Sequence, residues 1–343
     1  MGTLLLALAG APGFALPAEA QEFDRSPSSD LGATVTAAPG LRPTAYVGGG
    51  YPTGVWSAPV NLGPPVSTAM VEQTPAISQD GLTLYFFCSR PLSAGGGSCP
   101  GGLGGIDIWF SQRVSVDDPW GPPQNLGPTI NTAYDELFPE LSRDGHELYF
   151  ASNRPGGYGG SDLYVSRRSN KHDDLGWQTP VNLGAGVNTN ANERGPAPFD
   201  HGVKKTTLYF HSDRTGGPGG NDIYAATLQR GKTFGPAVLV PELSTLFTDQ
   251  GVSIRGDGLE LFLSSNRPGT LGSNDLWISV RSSTRAPWST PVNLGAGVNG
   301  AFTEAGPEIS DDGTALYFHS DRPGSLSFDL WVTTRSGTPS PGP

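Results

Sequence analysis

The chain contains very little cysteine, methionine, histidine and basic charge for its length. Its 343 residues include two cysteines, two methionines and five histidines, and 21 basic side chains stand against 32 acidic ones, for a formal net charge of −11. Nucleic-acid-binding domains carry clustered lysine and arginine, and no such cluster occurs here, which excludes nucleic acid as a partner. Two thiols without a nearby histidine make a poor zinc site, so we predict no metal site and no cofactor.

Long apolar runs are also missing. The segment Thr3–Leu16 is mostly apolar but too short to span a bilayer, and Ala18-Glu19-Ala20 after it is typical of a signal-peptide cleavage site. We therefore predict a signal peptide over residues 1–20, a flexible leader over 21–54 and no membrane span. The predicted location is the bacterial periplasm or the extracellular medium.

The sequence does contain one motif that is repeated five times. An apolar strand that ends in Ser and Arg is followed by a glycine-rich turn, and then by Asp before an apolar–aromatic pair. The arginines recur at intervals of 53 to 64 residues, at Arg90, Arg154, Arg214, Arg267 and Arg322. Apolar residues stand at consecutive positions in these strands, which indicates strands packed on both faces. Each repeat holds four candidate strands and no segment has a sustained helical period, so the repeat predicts an all-β propeller.

The position of the first and last strands within the repeat predicts how the ring closes. The strand that ends every repeat is present before the first repeat, at Trp56–Gly63, and is missing after the last. A ring in which this N-terminal strand completes the last blade leaves no open sheet edge. We predict a five-bladed β-propeller over residues 55–335, followed by a Pro/Gly tail over 336–343.

The phrases S-x-D-G, L-Y-F-x-S-x-R and D-L-W/Y resemble the TolB-type, WD-like β-propeller repeat family of bacterial envelope and exported proteins. The resemblance extends from about Trp56 to Arg335. It implies the propeller fold. It also implies a role as an interaction scaffold, as a sensor, or as a domain attached to peptidases or peptidoglycan-binding modules. The sequence shows none of these attached modules.

The two cysteines both lie in the first repeat. Cys99 falls in a hairpin, Arg90–Asp107, that is longer than its equivalents, and Cys88 ends the strand before it. The pair could be a redox or metal site, or a disulfide that staples the enlarged hairpin. Because an exported protein experiences an oxidising environment, we predict the disulfide.

Acidic residues recur at the start of each innermost strand and are the candidate binding residues. They could face the channel and hold a cation or a polyol, or each could bind backbone amides or an arginine of its own blade. The candidates are Glu72, Glu136, Glu193, Asp249 and Glu304, together with Asp135, which stands beside Glu136 where the repeat is broken. Within each glycine-rich hairpin, we predict an ion pair of the type Arg154–Asp162.

The sequence favours a non-catalytic exported protein that binds a protein, peptide or glycan partner at a rim or in the channel. It contains no nucleophile elbow and no H-E-x-x-H motif. We expect a monomer that serves as a binding or scaffold protein, and we interpret His211 and His319 as packing residues. The alternative is a carbohydrate-active enzyme with carboxylates in the central pocket, for which the candidates are Asp135, Glu136, Glu193 and Glu304.

Overall fold

The computed structural model of the chain describes residues 55–201, 206–229 and 233–336. Twenty β-strands form the described part, with one 3-10 turn at Leu92–Ala94. The strand β1 is Val60–Asn61. The first blade contains β2 Val71–Ile77, β3 Thr83–Ser89, β4 Asp107–Gln112 and β5 Gln124–Asn125, and the second contains β6 Glu136–Leu141, β7 Glu147–Ser152, β8 Asp162–Arg167 and β9 Val181–Asn182. The third contains β10 Glu193–Asp200, β11 Thr206–Ser212, β12 Asp222–Thr227 and β13 Val238–Leu239. The fourth contains β14 Asp249–Ile254, β15 Glu260–Ser265, β16 Asp275–Val280 and β17 Val292–Asn293, and the last begins with β18 Glu304–Ile309, β19 Ala315–Ser320 and β20 Asp329–Thr334.

Each blade is one antiparallel sheet of four strands. Four blades use strands that are consecutive in the chain, whereas the fifth has the order β1-β20-β19-β18. Val60 pairs with Val332 and Asn61 with Trp331, so the N-terminal strand completes the last blade. The predicted five-bladed propeller and its closure are confirmed.

The core lies between the blades because the second strand of each blade is buried on both faces. In β7, for example, Leu148, Tyr149 and Phe150 are at most 3% exposed although they are adjacent in sequence. Alternate side chains of one strand therefore pack against two different neighbouring blades. This explains why the apolar residues run consecutively instead of alternating.

The S-x-D-G phrases form the turns between the first and second strands. In the second blade the Ser142 hydroxyl donates to Asp144, whose carboxylate also accepts from the amide of His146. Gly145 adopts a φ of 74°, which glycine tolerates and most side chains do not. These turns place the ends of all innermost strands at one end of the channel, which we call the turn end. The opposite end, where the glycine-rich hairpins lie, is the hairpin end.

Cys88 and Cys99 form a disulfide with a Cα–Cα distance of 5.9 Å, which confirms the predicted cross-link. None of the described residues belongs to a helix that is long and apolar enough to cross a membrane. The predicted signal peptide, the leader and residues 337–343 of the tail lie outside the described residues and stay predictions.

Candidate active site in the central channel

The innermost strand of every blade carries a two-residue bulge at the channel. Strand pairing is interrupted at the same place in all five blades. The interrupted residues are Thr74-Pro75, Phe138-Pro139, Gly195-Pro196, Gly251-Val252 and Gly306-Pro307, and together with Glu140 they line a cavity of about 20 Å³. A cavity of this size has room for about one water molecule. The bulges therefore narrow the middle of the channel.

The first residue of each bulge has a left-handed backbone conformation. Three of the five are glycines, with φ near 58°, but Thr74 and Phe138 adopt φ values of 49° and 52°. A β-branched or aromatic residue is strained in this region, and such strain clusters at functional sites. The first two blades thus place real side chains where the other three present only glycine.

Two histidines fill the space that the glycines leave. A Cβ on Gly195 would stand 2.6 Å from His211 Nδ1, and one on Gly306 would stand 2.8 Å from His319 Nδ1. Each Nδ1 accepts a backbone amide of another blade at 3.3 Å, from Gly251 and Thr74 respectively. Burial lowers the pKa of both histidines to about 3, so the rings are neutral and serve as packing and acceptor groups.

A pair of carboxyl groups meets across the axis just beyond the bulges. Glu140 of the second blade and Glu308 of the fifth lie close enough to shift each other's pKa. Glu308 is 5% exposed and accepts the Ser253 hydroxyl at 2.7 Å and the Ile77 amide at 3.3 Å. These contacts connect four blades through one carboxyl pair, of which Glu308 is buried and Glu140 is half-buried.

The carboxyl pair has an unusual protonation. Burial raises the pKa of Glu308 to about 7 and raises the pKa of Glu140 well above its usual range, with the charge of Glu308 adding to the shift of Glu140. Two adjacent buried carboxyls cannot both ionise easily. At neutral pH one of them therefore keeps its proton while the other is poised to lose it.

Thr74 adds an unsatisfied polar group at the same place. Its side chain is 7% exposed, and its hydroxyl oxygen has no hydrogen-bond partner within the described part of the chain. A buried hydroxyl without a partner is costly and, in a native structure, calls for an explanation.

The turn end of the channel is closed by contacts between S-x-D-G turns. Arg143 of the second blade reaches Asp311 of the fifth, with Nε 2.8 Å from Oδ1, and donates to the carbonyl oxygen of Gly256 in the fourth at 3.1 Å. Gln79 of the first blade also donates to Asp311, at 3.5 Å. These contacts restrict access to the carboxyl pair from the turn end, and the bulges restrict it from the hairpin end.

The five predicted acidic residues lie near the hairpin end but are buried within their blades. Glu72 is 1% exposed and the other four are fully buried. In the second blade Glu136 accepts the Thr132 amide at 2.6 Å, the Ser152 hydroxyl at 2.8 Å and Arg154 at 3.0 Å. Equivalent ion pairs are Arg214–Glu193, Arg267–Asp249 and Arg322–Glu304. We call this arrangement the clamp, and a ligand-binding role for its carboxylates stays a prediction.

Asp135 lies at the surface of the second blade, beside the clamp. Its carboxylate accepts the Ile106 amide at 3.0 Å and the Asn153 side chain at 2.8 Å, so it joins the first blade to the second. Its predicted binding role also stays a prediction.

The predicted ion pair inside each hairpin is wrong. Arg154 binds Glu136 instead, while Asp162 accepts the Tyr158 amide at 2.6 Å and the Asn182 side chain at 2.7 Å. Asp162 thus organises the hairpin through backbone and amide donors. Asp162 is as buried as Glu136, but amide donors satisfy its carboxylate, so the arginine is left to pair with Glu136.

Sequence reasoning missed Glu140 and Glu308 because it followed the residues that recur. The position after the bulge is Ala76, Glu140, Ala197, Ser253 and Glu308 in the five blades. A Pro-Glu dipeptide in only two repeats, on strands that otherwise read as buried, was the available signal. A carboxyl group at a position that is elsewhere small and buried is typical of function.

The chain was compared with known families, proteins and structures. No protein-family model and no curated protein sequence matches it. The catalytic domain of a GH62 α-L-arabinofuranosidase from Coprinopsis cinerea matches with a TM-score of 0.52 and 12% identity over 83% of this chain and 98% of that one. An α-L-arabinofuranosidase from Lactobacillus brevis matches with a TM-score of 0.53 and 17% identity over 81% and 96%. TolB from Acinetobacter baumannii matches with a TM-score of 0.43 and 13% identity over 82% and 64%. Identities this low show a shared fold alone.

These matches correct the function that the sequence favoured. TolB propellers are among the structures found, at TM-scores of 0.43, and the resemblance to the TolB family stays a prediction. The preference for a non-catalytic binding or scaffold protein is wrong, because the matched structures with TM-scores of 0.50 or more include five-bladed glycoside hydrolases. They favour the alternative, a carbohydrate-active enzyme. Sequence reasoning weighed only the periodic carboxylates, whose similar surroundings argued against acid–base chemistry.

Proposed function

We propose that the chain is a carbohydrate-active enzyme that hydrolyses a glycan, with Glu140 and Glu308 as its acid and base. The observation that carries the proposal is the carboxyl pair in the central channel. Glycoside hydrolysis needs one carboxyl that holds its proton and one that does not. Glu140 supplies the first, and Glu308, with a pKa of about 7, supplies the second.

Several features around the pair support this role. The unpartnered Thr74 hydroxyl and the strained bulges lie beside it, and a glycan that enters from the hairpin end would have to part the bulges. The disulfide suits a protein that works in the periplasm or outside the cell, where polymeric glycans are found. The solved structures with a similar fold include arabinofuranosidases and an endo-arabinase, which makes arabinose-containing glycans the first substrates to test.

The spacing of the pair defines what a substrate must do. Glycosidases place their two carboxyls roughly 5 to 9.5 Å apart, whereas Glu140 and Glu308 are near enough to couple their protonation. A sugar or its attacking water must therefore enter between them. Glu308 is fixed by Ser253 and Ile77, while Glu140 is partly exposed at the channel, so Glu140 is the side chain that turns aside.

The test is sugar release from arabinan, arabinoxylan and aryl arabinofuranosides by the purified chain. Glu140→Gln and Glu308→Gln are each expected to lower kcat by about 10² or more. Glu147→Gln, which changes a partly exposed glutamate of the same blade paired with Arg167, is the matched control and is expected to keep full activity. Activity is expected to rise as the pH passes through about 7, where Glu308 loses its proton.

Two outcomes would contradict the proposal. One is a parent protein that is folded and releases no sugar from any of these substrates. The other is hydrolysis that survives in both Glu140→Gln and Glu308→Gln, which would place the chemistry elsewhere.

A further inference from the structure

An arginine stacked on an aromatic ring recurs on the outer side of the propeller. In four blades an arginine follows the third strand, and its Nε donates to the carbonyl of the glycine in the turn between the first two strands, at 2.6 to 2.8 Å. Its guanidinium lies 4.0 to 4.6 Å from the centre of a tryptophan ring. The pairs are Arg113–Trp120, Arg168–Trp177, Arg281–Trp288 and Arg335–Trp56.

These arginines differ in how their charge is neutralised. Arg168 forms an ion pair with Asp174, and Arg335 forms one with Glu260. Arg113 is partly exposed to solvent and donates to the Tyr317 hydroxyl at 3.4 Å. Arg281 is only 5% exposed, yet no carboxylate among the described residues lies within ion-pair distance of it, and its Nη2 has no hydrogen-bond partner there. A buried guanidinium without a counterion is destabilising.

The junction between the first and second blades shows how such a site is satisfied. The carboxylate of Asp174 accepts from Arg168 and from the Tyr85 hydroxyl. It also accepts from the Thr83 hydroxyl at 3.4 Å and from Gln112 Nε2 at 2.6 Å. One carboxylate thus occupies the centre of a ring of four donors.

The junction between the third and fourth blades has the same ring without its carboxylate. Thr207, Tyr209, Thr227 and Arg281 stand at the positions of Thr83, Tyr85, Gln112 and Arg168 in the aligned repeats. The segment from Arg281 to Trp288 is two residues shorter than its counterpart and contains no acidic residue. Where Asp174 would be, there is an open cleft of about 400 Å³ that these four residues line together with His201, Glu242 and Arg285.

We propose that this cleft binds the carboxylate of a small sugar acid, in the place that Asp174 occupies between the first and second blades. A carboxylate forms charge-assisted hydrogen bonds with a guanidinium, and the hydroxyls of Thr207, Tyr209 and Thr227 would complete its shell. The volume falls in the range of small-molecule sites, and the polar lining suits the hydroxyls of a sugar. Glu242 disfavours a dianion such as phosphate.

The experiment is calorimetric titration of the full chain with glucuronate, glucose and inorganic phosphate at pH 7. Glucuronate is expected to bind, and glucose and phosphate are expected to bind at least tenfold more weakly. Arg281→Gln is expected to weaken glucuronate binding at least tenfold. Arg113→Gln, which changes the equivalent arginine of the first blade, is the matched control and is expected to leave binding unchanged.

A second pair of variants keeps the test valid if Arg281→Gln fails to fold. Arg285 stands three residues before Trp288, as Asp174 stands three before Trp177. Arg285→Asp is expected to supply the missing carboxylate, abolish glucuronate binding and raise Tm, whereas Arg285→Gln is expected to bind glucuronate and to leave Tm unchanged.

Equal affinity for glucose and glucuronate, preferential binding of phosphate, or undiminished binding by Arg285→Asp would each overturn the proposal. Because none of the channel residues lines the cleft, these results do not depend on hydrolysis.

Discussion

The clamp of the first blade differs from those of the other four. In the second to fifth blades the buried carboxylate accepts a serine hydroxyl from the second strand and pairs with the arginine two residues after it. In the first blade the serine position holds Cys88, which is bonded to Cys99 instead. Glu72 is left with donors from Thr68, and Arg90 is exposed and forms no ion pair within the described part of the chain.

The comparison shows that two different links can hold the same strand end. A clamp joins the innermost strand to the second strand through charge, whereas the disulfide joins the second strand to its hairpin through a covalent bond. Burial raises the pKa of Glu72 to about 7 and also raises the pKa of Glu136 and Glu304, but in those two the serine and the arginine of the clamp offset part of the shift. The first blade therefore gains a cross-link and loses a neutralised carboxylate.

Breaking an ionic clamp is expected to have the largest effect. Arg267→Met leaves the fully buried Asp249 without its countercharge, and removal of one partner of a buried ion pair destabilises by about 3 to 5 kcal/mol. Arg90→Met is the matched change in the first blade and is expected to cost less than about 1 kcal/mol. Urea unfolding of both variants measures the difference. Equal losses of stability in the two variants would show that Arg90 forms an ion pair with Glu72 in solution.

The fold could be predicted from the sequence because every repeat packs in the same way and therefore carries the same residues at the same positions. The consecutive apolar strands, the S-x-D-G turns and the displaced strand at Trp56–Gly63 all follow from local pattern, and the structure confirms the closure they predicted. The recurring carboxylates were also visible, but their partners were not, because an arginine can reach either Glu136 or Asp162 from the same position. Only three-dimensional proximity brings Glu140 and Glu308 together from blades that are not consecutive in sequence.

Removing the disulfide is expected to have the next largest effect, and it can be done in two ways. The cysteines are 11 residues apart, and loop entropy predicts that loss of their cross-link lowers the free energy of unfolding by about 2 to 3 kcal/mol. The double variant Cys88→Ala with Cys99→Ala is expected to show this full loss. Cys88→Ser with Cys99→Ala restores the serine of the other blades and is expected to recover about 1 kcal/mol of this through a hydrogen bond to Glu72. Chemical unfolding distinguishes the two. A serine variant no more stable than the alanine variant would mean that Glu72 does not accept this donor.

The effect expected from Glu72 itself is confined to neutral and alkaline pH. Its pKa is raised from 4.5 to about 7, mainly by burial, with the charge of Asp329 contributing. Below pH 4.5 the carboxyl is protonated in both the folded and unfolded states. Between pH 4.5 and 7 the unfolded chain releases the proton while the folded protein keeps it, so the free energy of unfolding falls by about 1.4 kcal/mol per pH unit. Above pH 7 the carboxyl is ionised in both states, and the free energy of unfolding no longer changes with pH because of Glu72.

Glu72→Gln mimics the protonated carboxyl and removes this dependence. The variant is expected to match the parent at pH 4 and to be more stable by up to about 3 kcal/mol at pH 8, with the remaining slope contributed by the other carboxyls whose pKa is raised, Glu140 and Glu308 among them. Glu193→Gln is the matched change in an ionic clamp, where it breaks the pair with Arg214, and it is expected to destabilise at pH 8. Urea unfolding at both pH values gives the comparison. If both variants destabilise at pH 8 to the same extent, Glu72 is ionised and paired like its counterparts, and the difference between the first blade and the others lies in the disulfide alone.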